Sequence, residues 1–450
     1  MVKAKRLGKG TTLGFITLML CGFLSAAAQD RIKIELNMGQ ERPRLAAPDF
    51  KAANGDPQTA PLNAVFNQVL WSDLDNAGIF DMVAKSFYPS QQPGQPGELQ
   101  AKAWGDPPPN AGVLTFGNVG VNSGKIDVQG WLYDVKNPGA PQILGKQYKE
   151  DATPDMARLI AHRFADEIIA RLGSGIPGIA ESQIYFVSTR SGTKEIWSMD
   201  YDGANQKQIT KLGTIALSPR ISPDGSRLAF SGLTKEPSWQ IMMYSMDLGR
   251  TVAFPRNGGD NFSPAWASDG TKIAFSSTMH SGLSEIVIAD ANGSGTRRLS
   301  TGKGDVSPVF NPKTNGQIAW VSGRTGLPQI YVMDADGSNV QRMTDQGYAV
   351  SPAWSPNGLL LAFAWVRNYG PGVLGGSDIY LMDIASRQII QLTHDGGRND
   401  FPSWSPDGRH IVFQSNRTGN EQIWSVLADG THLQQLTRQG RNSQPNWSFK

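Results

Sequence analysis

The sequence has one cysteine and few histidines, which limits the chemistry available to it. Cys21 lies near the N-terminus, and the 5 histidines, at positions 162, 280, 394, 410 and 432, do not have the spacing of a metal site. We therefore expect no disulfide, no thiol chemistry and no cofactor, and we interpret the histidines as surface or structural residues. The sequence also lacks a Gly-x-Ser-x-Gly elbow, the nucleophile motif of many hydrolases.

The sequence has little that suggests a membrane span. The apolar run at residues 13–24 follows four basic residues and precedes three alanines at positions 26–28. This run is too short for an ordinary transmembrane helix. The pattern instead predicts a cleaved signal peptide over residues 1–28, so we expect an exported chain that does not insert into a membrane.

Neither sign of charge is in clear excess. The chain has 42 basic and 39 acidic residues, and removal of the four basic residues of the signal peptide makes the two numbers nearly equal. A near-neutral chain argues against bulk binding to nucleic acid or to an anionic membrane.

What the sequence does contain is a repeated phrase of the type Ser-Pro-x-Trp-Ser-Pro-Asp-Gly. It begins at residues 218, 263, 307, 351 and 401, and a truncated copy begins at residue 444. Each full phrase is followed by three short strand-like runs, and four strands in about 44 residues are typical of a propeller blade. We expect the first proline to open a strand, the tryptophan to pack between neighbouring sheets, and Ser-Pro-Asp-Gly to form a tight turn.

The ends of the repeat region predict that the ring is closed. Residues 183–186, 195–198 and 208–210 resemble the second, third and fourth strands of a blade that has no first strand. Residues 445–448 resemble a first strand with no others. The fold class predicted is therefore an α+β N-terminal domain followed by an all-β, six-bladed β-propeller over residues 182–450, closed by the C-terminal strand. Closure removes the free sheet edges that promote aggregation.

Residues 29–173 have a different pattern, which predicts a small α+β domain. Apolar residues from 62 to 70 and from 156 to 172 recur at helical spacing, and runs at 113–121, 125–135 and 142–148 are strand-like. A glycine-rich stretch follows, and we assign residues 174–181 to a short linker.

The chain resembles the TolB family. The resemblance rests on the repeated phrase, on Ile-Tyr-x-Met-Asp in the third strand-like runs, and on residues 31–34, 39–43, 253–257 and 446–448. It implies a periplasmic, monomeric adaptor of the Tol–Pal system, which supports outer-membrane integrity and constriction during cell division and which some bacteriocins exploit for import. Members bind the peptidoglycan-associated lipoprotein Pal through one mouth of the propeller. The chain departs from the family pattern in an insertion at residues 368–376 of the fifth blade.

The resemblance also implies a second partner, the inner-membrane protein TolA, at the segment after the signal peptide. In this chain the implied TolA-binding residues are Gln29, Asp30, Arg31, Ile32, Lys33, Ile34, Arg42 and Pro43.

The loops that lead into the first strand of each blade should converge at one end of the central channel. They combine polar and charged side chains with glycine, which suits a concave surface that binds a protein. With the resemblance, this predicts a Pal-binding surface, which we call the mouth. Its predicted residues are Arg256, Asn257, Asp260, Asn261, Lys303, Asp305, Tyr348, Arg398, Asn399, Asp400, Arg441 and Asn442. For any one of these residues, a solvated turn is the alternative interpretation.

An alternative function is a cell-envelope enzyme or binding propeller that acts on carbohydrate or peptide at a channel site. A metal-dependent enzyme of this kind would need inward histidine or carboxylate clusters at regular blade positions, which the sequence does not show. The Asp-x-Asp-Gly sequences at 200–203 and 334–337 lack the later glutamate of a calcium-binding loop, so we interpret them as hairpin turns.

Overall fold

The computed structural model describes residues 42–139, 141–173, 175–302, 304–366, 375–394 and 396–449. The predicted signal peptide lies outside these residues, as do residues 29–34 and Lys303. Residues 42–173 form a mixed sheet with helices, and residues 183–447 form a ring of six sheets.

The described residues of the first domain form six strands and three α-helices. They are β1 (Arg44–Ala46), β2 (Lys51–Ala52), α1 (Thr59–Asn76), β3 (Asp81–Met82), α2 (Ala101–Gly105), β4 (Val113–Asn122), β5 (Lys125–Asp134), β6 (Gln142–Asp151) and α3 (Pro154–Leu172). Short 3-10 turns occur at Lys85–Phe87 and Pro96–Glu98. The sheet order is β3-β1-β4-β5-β6, with β2 also paired to β4. The pairs among β4, β5 and β6 are antiparallel, and those that involve β1 are parallel.

Helices α1 and α3 pack on each other and cover one face of this sheet. Phe50 links the two helices, because its ring lies 4.9 Å from that of Phe66 on α1 and 5.9 Å from that of Phe164 on α3. Gly130 on β5 permits this packing, since a Cβ atom there would collide with the Phe164 ring. Thr153 caps α3, its hydroxyl accepting a hydrogen bond from the backbone N–H of Met156 at 3.2 Å.

The second domain consists of six four-stranded antiparallel sheets, which we number from the N-terminus as blades one to six. Blade one contains β7 (Gln183–Ser188), β8 (Glu195–Asp200) and β9 (Lys207–Gln208). Blade two contains β10 (Ala216–Ile221), β11 (Arg227–Leu233), β12 (Trp239–Ser245) and β13 (Arg250–Val252). Blade three contains β14 (Asn261–Trp266), β15 (Lys272–Ser277), β16 (Glu285–Asp290) and β17 (Arg297–Arg298).

The remaining blades follow the same order. Blade four contains β18 (Val306–Phe310), β19 (Gln317–Ser322), β20 (Gln329–Asp334) and β21 (Gln341–Arg342). Blade five contains β22 (Tyr348–Trp354), β23 (Leu360–Val366), β24 (Asp378–Asp383) and β25 (Ile389–Gln391). Blade six contains β26 (Asn399–Trp404), β27 (His410–Ser415), β28 (Gln422–Leu427) and β29 (Gln434–Gln435), and β30 (Asn442–Trp447) completes blade one.

The ring is closed, and the predicted fold class is confirmed. Strand β30 pairs antiparallel with β7, and the backbone N–H of Ser448 donates to the Gln183 carbonyl at 2.8 Å. The first strands of successive blades contact one another around the whole ring, so they line the central channel. The chain therefore closes its own propeller, because β30, at its C-terminal end, pairs with β7, at its N-terminal end.

The position predicted for the first proline of each phrase was wrong. It lies inside the first strand, at a bulge, rather than at the start of the strand. In all six first strands the preceding residue is left-handed, with φ between 51° and 56° at Ser218, Ser263, Ser307, Ser351, Phe401 and Gln444. Because the bulge interrupts the ladder at this point, proline does not need to donate a hydrogen bond there.

Neighbouring blades are joined by repeated contacts. As predicted, the phrase tryptophan packs between sheets: the indole N–H of Trp266 donates to the Arg220 carbonyl at 3.1 Å, and that of Trp404 donates to the Ala353 carbonyl at 3.1 Å. Side chains also accept from the left-handed residues, as Ser231 Oγ does from the N–H of Ser263 at 2.9 Å. Contacts of this kind recur between neighbouring blades, so they help to set the angle between one sheet and the next.

A second repeated contact lies within five of the blades. A hydroxyl after the fourth strand accepts a hydrogen bond from the backbone N–H of an isoleucine on the third strand. The pairs are Thr210 with Ile196, Ser300 with Ile286, Thr344 with Ile330, Thr393 with Ile379 and Thr437 with Ile423, each at 2.9 Å. The contact fastens the short outer strand, which has few ladder bonds of its own.

The two ends of the channel differ. Each first strand runs from the loop that enters the blade towards the Ser-Pro-Asp-Gly turn, so the entering loops lie at one end and these turns lie at the other. We call these the entry end and the turn end. The loops between second and third strands also lie at the entry end, whereas the hairpin turns between third and fourth strands lie at the turn end.

Candidate functional site

Four of the predicted mouth residues are buried. Asn261 is 1% exposed, and Asp305, Asn399 and Asn442 are 0% exposed. All four occupy the same position, three residues before the first proline of their phrase. The three asparagines anchor the entering loop to the preceding blade: Asn442 Nδ2, for example, donates to Gln422 Oε1 at 2.7 Å. Asp305 instead holds its loop to a residue of its own blade. These side chains hold the loops of the mouth in place from the inside, and they are not accessible to a partner.

Arginine side chains that the sequence analysis did not identify hold two of these anchors. Arg417 donates to Asn399 Oδ1 at 3.1 Å and to Ser415 Oγ at 3.0 Å, and Arg324 forms an ion pair with Asp305 at 3.0 Å. Both guanidinium groups lie over aromatic rings, as cation–π contacts require. The signal in the sequence is Ser-x-Arg at the end of the second strand, at 188–190, 322–324 and 415–417.

The accessible part of the mouth is basic. Arg256, Arg398 and Arg441 are exposed, and Asn257 is half-buried beside them in its loop. Arg256 and Arg398 make no side-chain hydrogen bond or ion pair with any residue that the structure describes, and Arg441 Nε lies 4.0 Å from Glu421 Oε2. The three arginines come from loops of different blades, so positive charge is spread around the entry end.

The other predicted mouth residues are half-buried. Asp260 accepts a hydrogen bond from the backbone N–H of Trp239 at 2.9 Å, and Asp400 accepts one from the N–H of Phe401 at 2.7 Å. Burial raises the pKa of Asp400, and this outweighs the opposing hydrogen bonds. Tyr348 begins β22 and is also half-buried. Of the twelve predicted mouth residues, only Lys303 lies outside the described ones.

The two strands that flank the predicted insertion in blade five meet it at the entry end. The insertion connects β23 to β24, and residues 367–374 are outside the described part of the chain. On its C-terminal side, Ser377 forms a β-bridge with Arg398, and its hydroxyl donates to the Asn399 carbonyl at 2.9 Å. Ser377, the described residue that follows the insertion, therefore lies directly next to Arg398 of the mouth.

The first domain packs against blades six and one at the turn end of the propeller, on the side opposite the mouth. Arg409 of blade six donates to the carbonyls of Ala77 and Gly78 at 3.1 and 2.7 Å, and His410 Nε2 donates to the Asn76 carbonyl at 2.7 Å. These are carbonyls at the C-terminal end of α1, where unpaired acceptors and the helix dipole favour a cation. Blade six thus caps a helix of the other domain.

A buried polar cluster makes a second contact between the domains. Asp73 on α1 is 2% exposed and accepts hydrogen bonds from His162 Nδ1 on α3 at 2.7 Å and from the Tyr201 hydroxyl of blade one at 2.5 Å. Burial lowers the pKa of His162, but the hydrogen bond and charge of Asp73 outweigh it, so the net shift is upward. Arg158 on α3 extends the contact through an ion pair with Asp202 at 2.7 Å.

The two buried histidines, His162 and His410, are therefore structural, and the other three are exposed. Within the described ranges there is no group of three or more His, Cys, Asp or Glu residues that could hold a metal ion. Nor does any described helix have the length and apolar character to cross a membrane.

The predicted TolA-binding segment is described only at its end. Arg42 forms an ion pair with Asp429 of blade six at 3.3 Å, and the Pro43 carbonyl accepts a hydrogen bond from the N–H of Asp81 at 3.0 Å. The described chain therefore begins at the turn end, on the other side of the propeller from the mouth.

Comparison with known protein families gives two matches, which together span most of the chain. A family described as the TolB beta propeller domain matches residues 171–369 and 344–450, and the TolB amino-terminal domain matches residues 30–139. Among solved structures, the crystal structure of TolB from Acinetobacter baumannii has a TM-score of 0.75 and 22% sequence identity, and the match covers 91% of this chain and 97% of that one. At this identity the likeness shows the fold.

Curated relatives carry the same family name. The Protein TolB homolog of Chlorobium luteolum is 33% identical over 219 residues, which are 48% of this chain and 47% of the relative. The Tol-Pal system protein TolB of Anaeromyxobacter sp. is 32% identical over 303 residues, which are 66% of this chain and 67% of the relative. The alignments with the first relatives thus span about half of their length.

Proposed function

The chain belongs to the TolB family, and from this premise we propose that it is a periplasmic adaptor of the Tol–Pal system. It binds the lipoprotein Pal through the mouth and TolA through the segment that follows the signal peptide. It works as a monomer without a cofactor and without enzymatic activity, and bacteriocin translocation segments are further partners. Through these contacts it supports outer-membrane integrity and the invagination of the outer membrane during division.

The observation that carries the proposal is the construction of the mouth. Exposed Arg256, Arg398 and Arg441 stand on loops whose buried anchors, such as Asn399 and Asn442, fix them to the closed ring. A rigid, concave and basic surface suits a folded partner that presents acidic groups, and charge complementarity of this kind raises specificity and the association rate.

The test for the mouth is the double variant Arg398→Ala/Arg441→Ala. Removal of two exposed charges from an interface should weaken Pal binding by about tenfold, with the stability of the chain little changed because neither side chain is buried. Isothermal titration with the soluble domain of Pal measures the affinity. The buried anchors are left unchanged, because their replacement would unfold the loops and confuse the result.

The matched control is Arg227→Ala/Arg250→Ala. Both arginines are exposed, lie at the turn end, and make no side-chain hydrogen bond with the described residues. This variant loses the same charge from the opposite face, so it should bind Pal as the unchanged protein does. Equal Pal affinity in the two double variants would place the binding surface away from the mouth.

The test for the second surface is deletion of residues 29–41, which leaves the contacts of Arg42 and Pro43 intact. The shortened protein should lose TolA binding and keep Pal binding. If both partners still bind, the proposal of two separate surfaces is wrong.

We also propose that the two surfaces are coupled, because the described end of the segment, at Arg42, lies where the two domains meet. Engagement of the segment by TolA would alter the mouth through the contacts of blade six with α1. Such coupling must be reciprocal in free energy. Saturating TolA should therefore change the Pal affinity by the same factor by which saturating Pal changes the TolA affinity, and unchanged affinities would show that the surfaces act independently.

A further inference from the structure

A cavity of about 120 Å³ opens at the turn end of the channel. Pro312, Pro356 and Pro406, each from a phrase turn, surround it together with Phe449. Farther in, its wall includes the edges of Trp354 and Trp404. The cavity thus has an apolar rim and lies on the side of the propeller opposite the mouth.

One charged side chain lies at the base of this cavity. Arg220, on β10 of blade two, borders both the cavity and a narrower space of about 30 Å³ deeper in the channel. Among the described residues that line these two spaces, no other is charged. Arg220 Nη1 donates to the Pro219 carbonyl at 2.9 Å, and no described carboxylate pairs with the guanidinium.

This arrangement has an energetic cost that a ligand would offset. Burial lowers the pKa of Arg220 to about 10, so the group remains charged at neutral pH. Arg220 is half-buried, and its described side-chain hydrogen bond to the Pro219 carbonyl replaces only part of the hydration that the guanidinium loses, with no described counter-charge beside it. A planar guanidinium can regain it from a carboxylate through two parallel hydrogen bonds.

We propose that the turn end of the channel binds a carboxylate that carries a small apolar or aromatic body, with Arg220 as the partner of the carboxylate. The proline and tryptophan side chains receive the apolar body, which follows the usual plan of a ligand pocket with few polar groups in an apolar wall. The cavity of about 120 Å³ is close in size to the cavity of about 150 Å³ that accommodates benzene, and because it opens at the turn end, the apolar body can extend past the rim.

The test uses benzoate as the probe and benzamide as its neutral counterpart, with the complete mature chain. Benzoate should bind in the millimolar range or tighter, and the indole N–H signals of Trp354 and Trp404 should shift during an NMR titration. Benzamide should bind at least about tenfold more weakly, because the charge-assisted hydrogen bonds are lost. Equal binding of the two probes, or no binding of benzoate at millimolar concentration, would overturn the proposal.

Two variants assign the effect to Arg220. Arg220→Met should weaken benzoate binding about tenfold or more, whereas Arg220→Lys, which keeps the charge but loses the planar fork, should weaken it less. The matched control Arg250→Met removes an exposed arginine that lies at the same end of the propeller but lines neither space, so it should leave the affinity unchanged. Unchanged benzoate affinity in Arg220→Met would show that this arginine only fills the channel. If Arg220→Met does not fold, Arg220→Lys and the comparison of benzoate with benzamide decide the matter.

The same carboxylate chemistry can come from a free organic acid or from the C-terminal residue of a peptide. N-acetylphenylalanine and its amide distinguish these sources. Tighter binding of the N-acetylated acid than of benzoate would favour a peptide terminus, and the reverse would favour a free acid. Because neither probe involves Pal or TolA, failure here would leave the proposed adaptor function untouched.

Discussion

Replacement of Asp73 tests how strongly the two domains are joined. This carboxylate belongs to α1, is 2% exposed, and accepts hydrogen bonds from His162 of its own domain and Tyr201 of the propeller. The variant Asp73→Ala removes both acceptors at once. Tyr201→Phe removes only the hydroxyl that crosses between the domains and leaves the ring in place.

The structure fixes the expected magnitudes. Loss of one member of a buried charged pair costs about 3–5 kcal/mol, so Asp73→Ala should destabilise the protein by about that amount. Loss of one hydrogen bond to a charged group costs about 1.5–3 kcal/mol, which is the expectation for Tyr201→Phe. The matched control is Asp429→Ala, which breaks the partly exposed ion pair with Arg42 and should cost no more than about 1 kcal/mol.

Urea unfolding, followed by tryptophan fluorescence and by circular dichroism, measures these differences. Since Asp73 and Tyr201 belong to different domains, their replacement should separate one unfolding transition into two. A double-mutant cycle between them should give a coupling energy of at least about 0.5 kcal/mol. Strict additivity, or a cost for Asp73→Ala as small as that for Asp429→Ala, would refute the assignment of this cluster as a main link between the domains.

The same contact should depend on pH through His162. Its pKa is raised in the folded protein, so the stabilisation is fully present below the unfolded value of about 6.5 and is lost as the pH rises through the folded value. The variant His162→Gln should therefore lose this part of the pH dependence. The other charged groups that act on this imidazole are Asp73, Arg158 and Asp202, with Asp166 and Asp200 nearby. A control series in Arg158→Gln measures the contribution of that arginine.

Three further variants test separate features. Burial raises the pKa of Asp166 to about 7, so the stability of the protein falls as the pH rises from about 4 to 7. Asp166→Asn should remove this part of the pH dependence, which urea unfolding at several pH values measures. Gly130→Ala should destabilise the first domain by about 1–3 kcal/mol, since a Cβ atom there meets the ring of Phe164, and thermal unfolding measures the loss. Thr344→Val should cost about 1–3 kcal/mol by leaving a buried N–H on the third strand of blade four unpaired, and hydrogen exchange at that amide should rise.

The architecture was predictable because each blade is a local unit with its own signal. Four strands in each repeat and the orphan strands at 183–210 and 445–448 were enough to predict six blades and their closure. The bulge was not predictable, because Ser-Pro is compatible with a strand start as well as with a bulge. Its left-handed residue is held by neighbouring blades, as Ser263 is by Ser231, and a contact between blades has no local pattern.

The candidate site was less predictable, since loop sequences do not reveal which polar residues are buried. Asn399 and Arg398 are adjacent in the sequence, yet one is an internal anchor and the other is exposed. The difference arises from Arg417, on a separate loop, which pairs with Asn399. The contact of Asp73 with Tyr201 likewise joins residues far apart in the chain, so neither could be recognised from its surroundings in the sequence.

The first strand of blade six links the two ends of the channel. Strand β26 begins at Asn399, next to the mouth, and leads directly into the turn whose next residues include Arg409, the side chain that caps α1. The strand is paired with β27 and contacts the first strands of both neighbouring blades. A displacement of Arg409 should therefore be transmitted along the strand and not absorbed by a flexible loop. A change in the position of the first domain should therefore displace Arg398 and Asn399 more than it displaces the mouth loop of blade three. If the two proposed binding surfaces are coupled, we expect that coupling to depend on blade six.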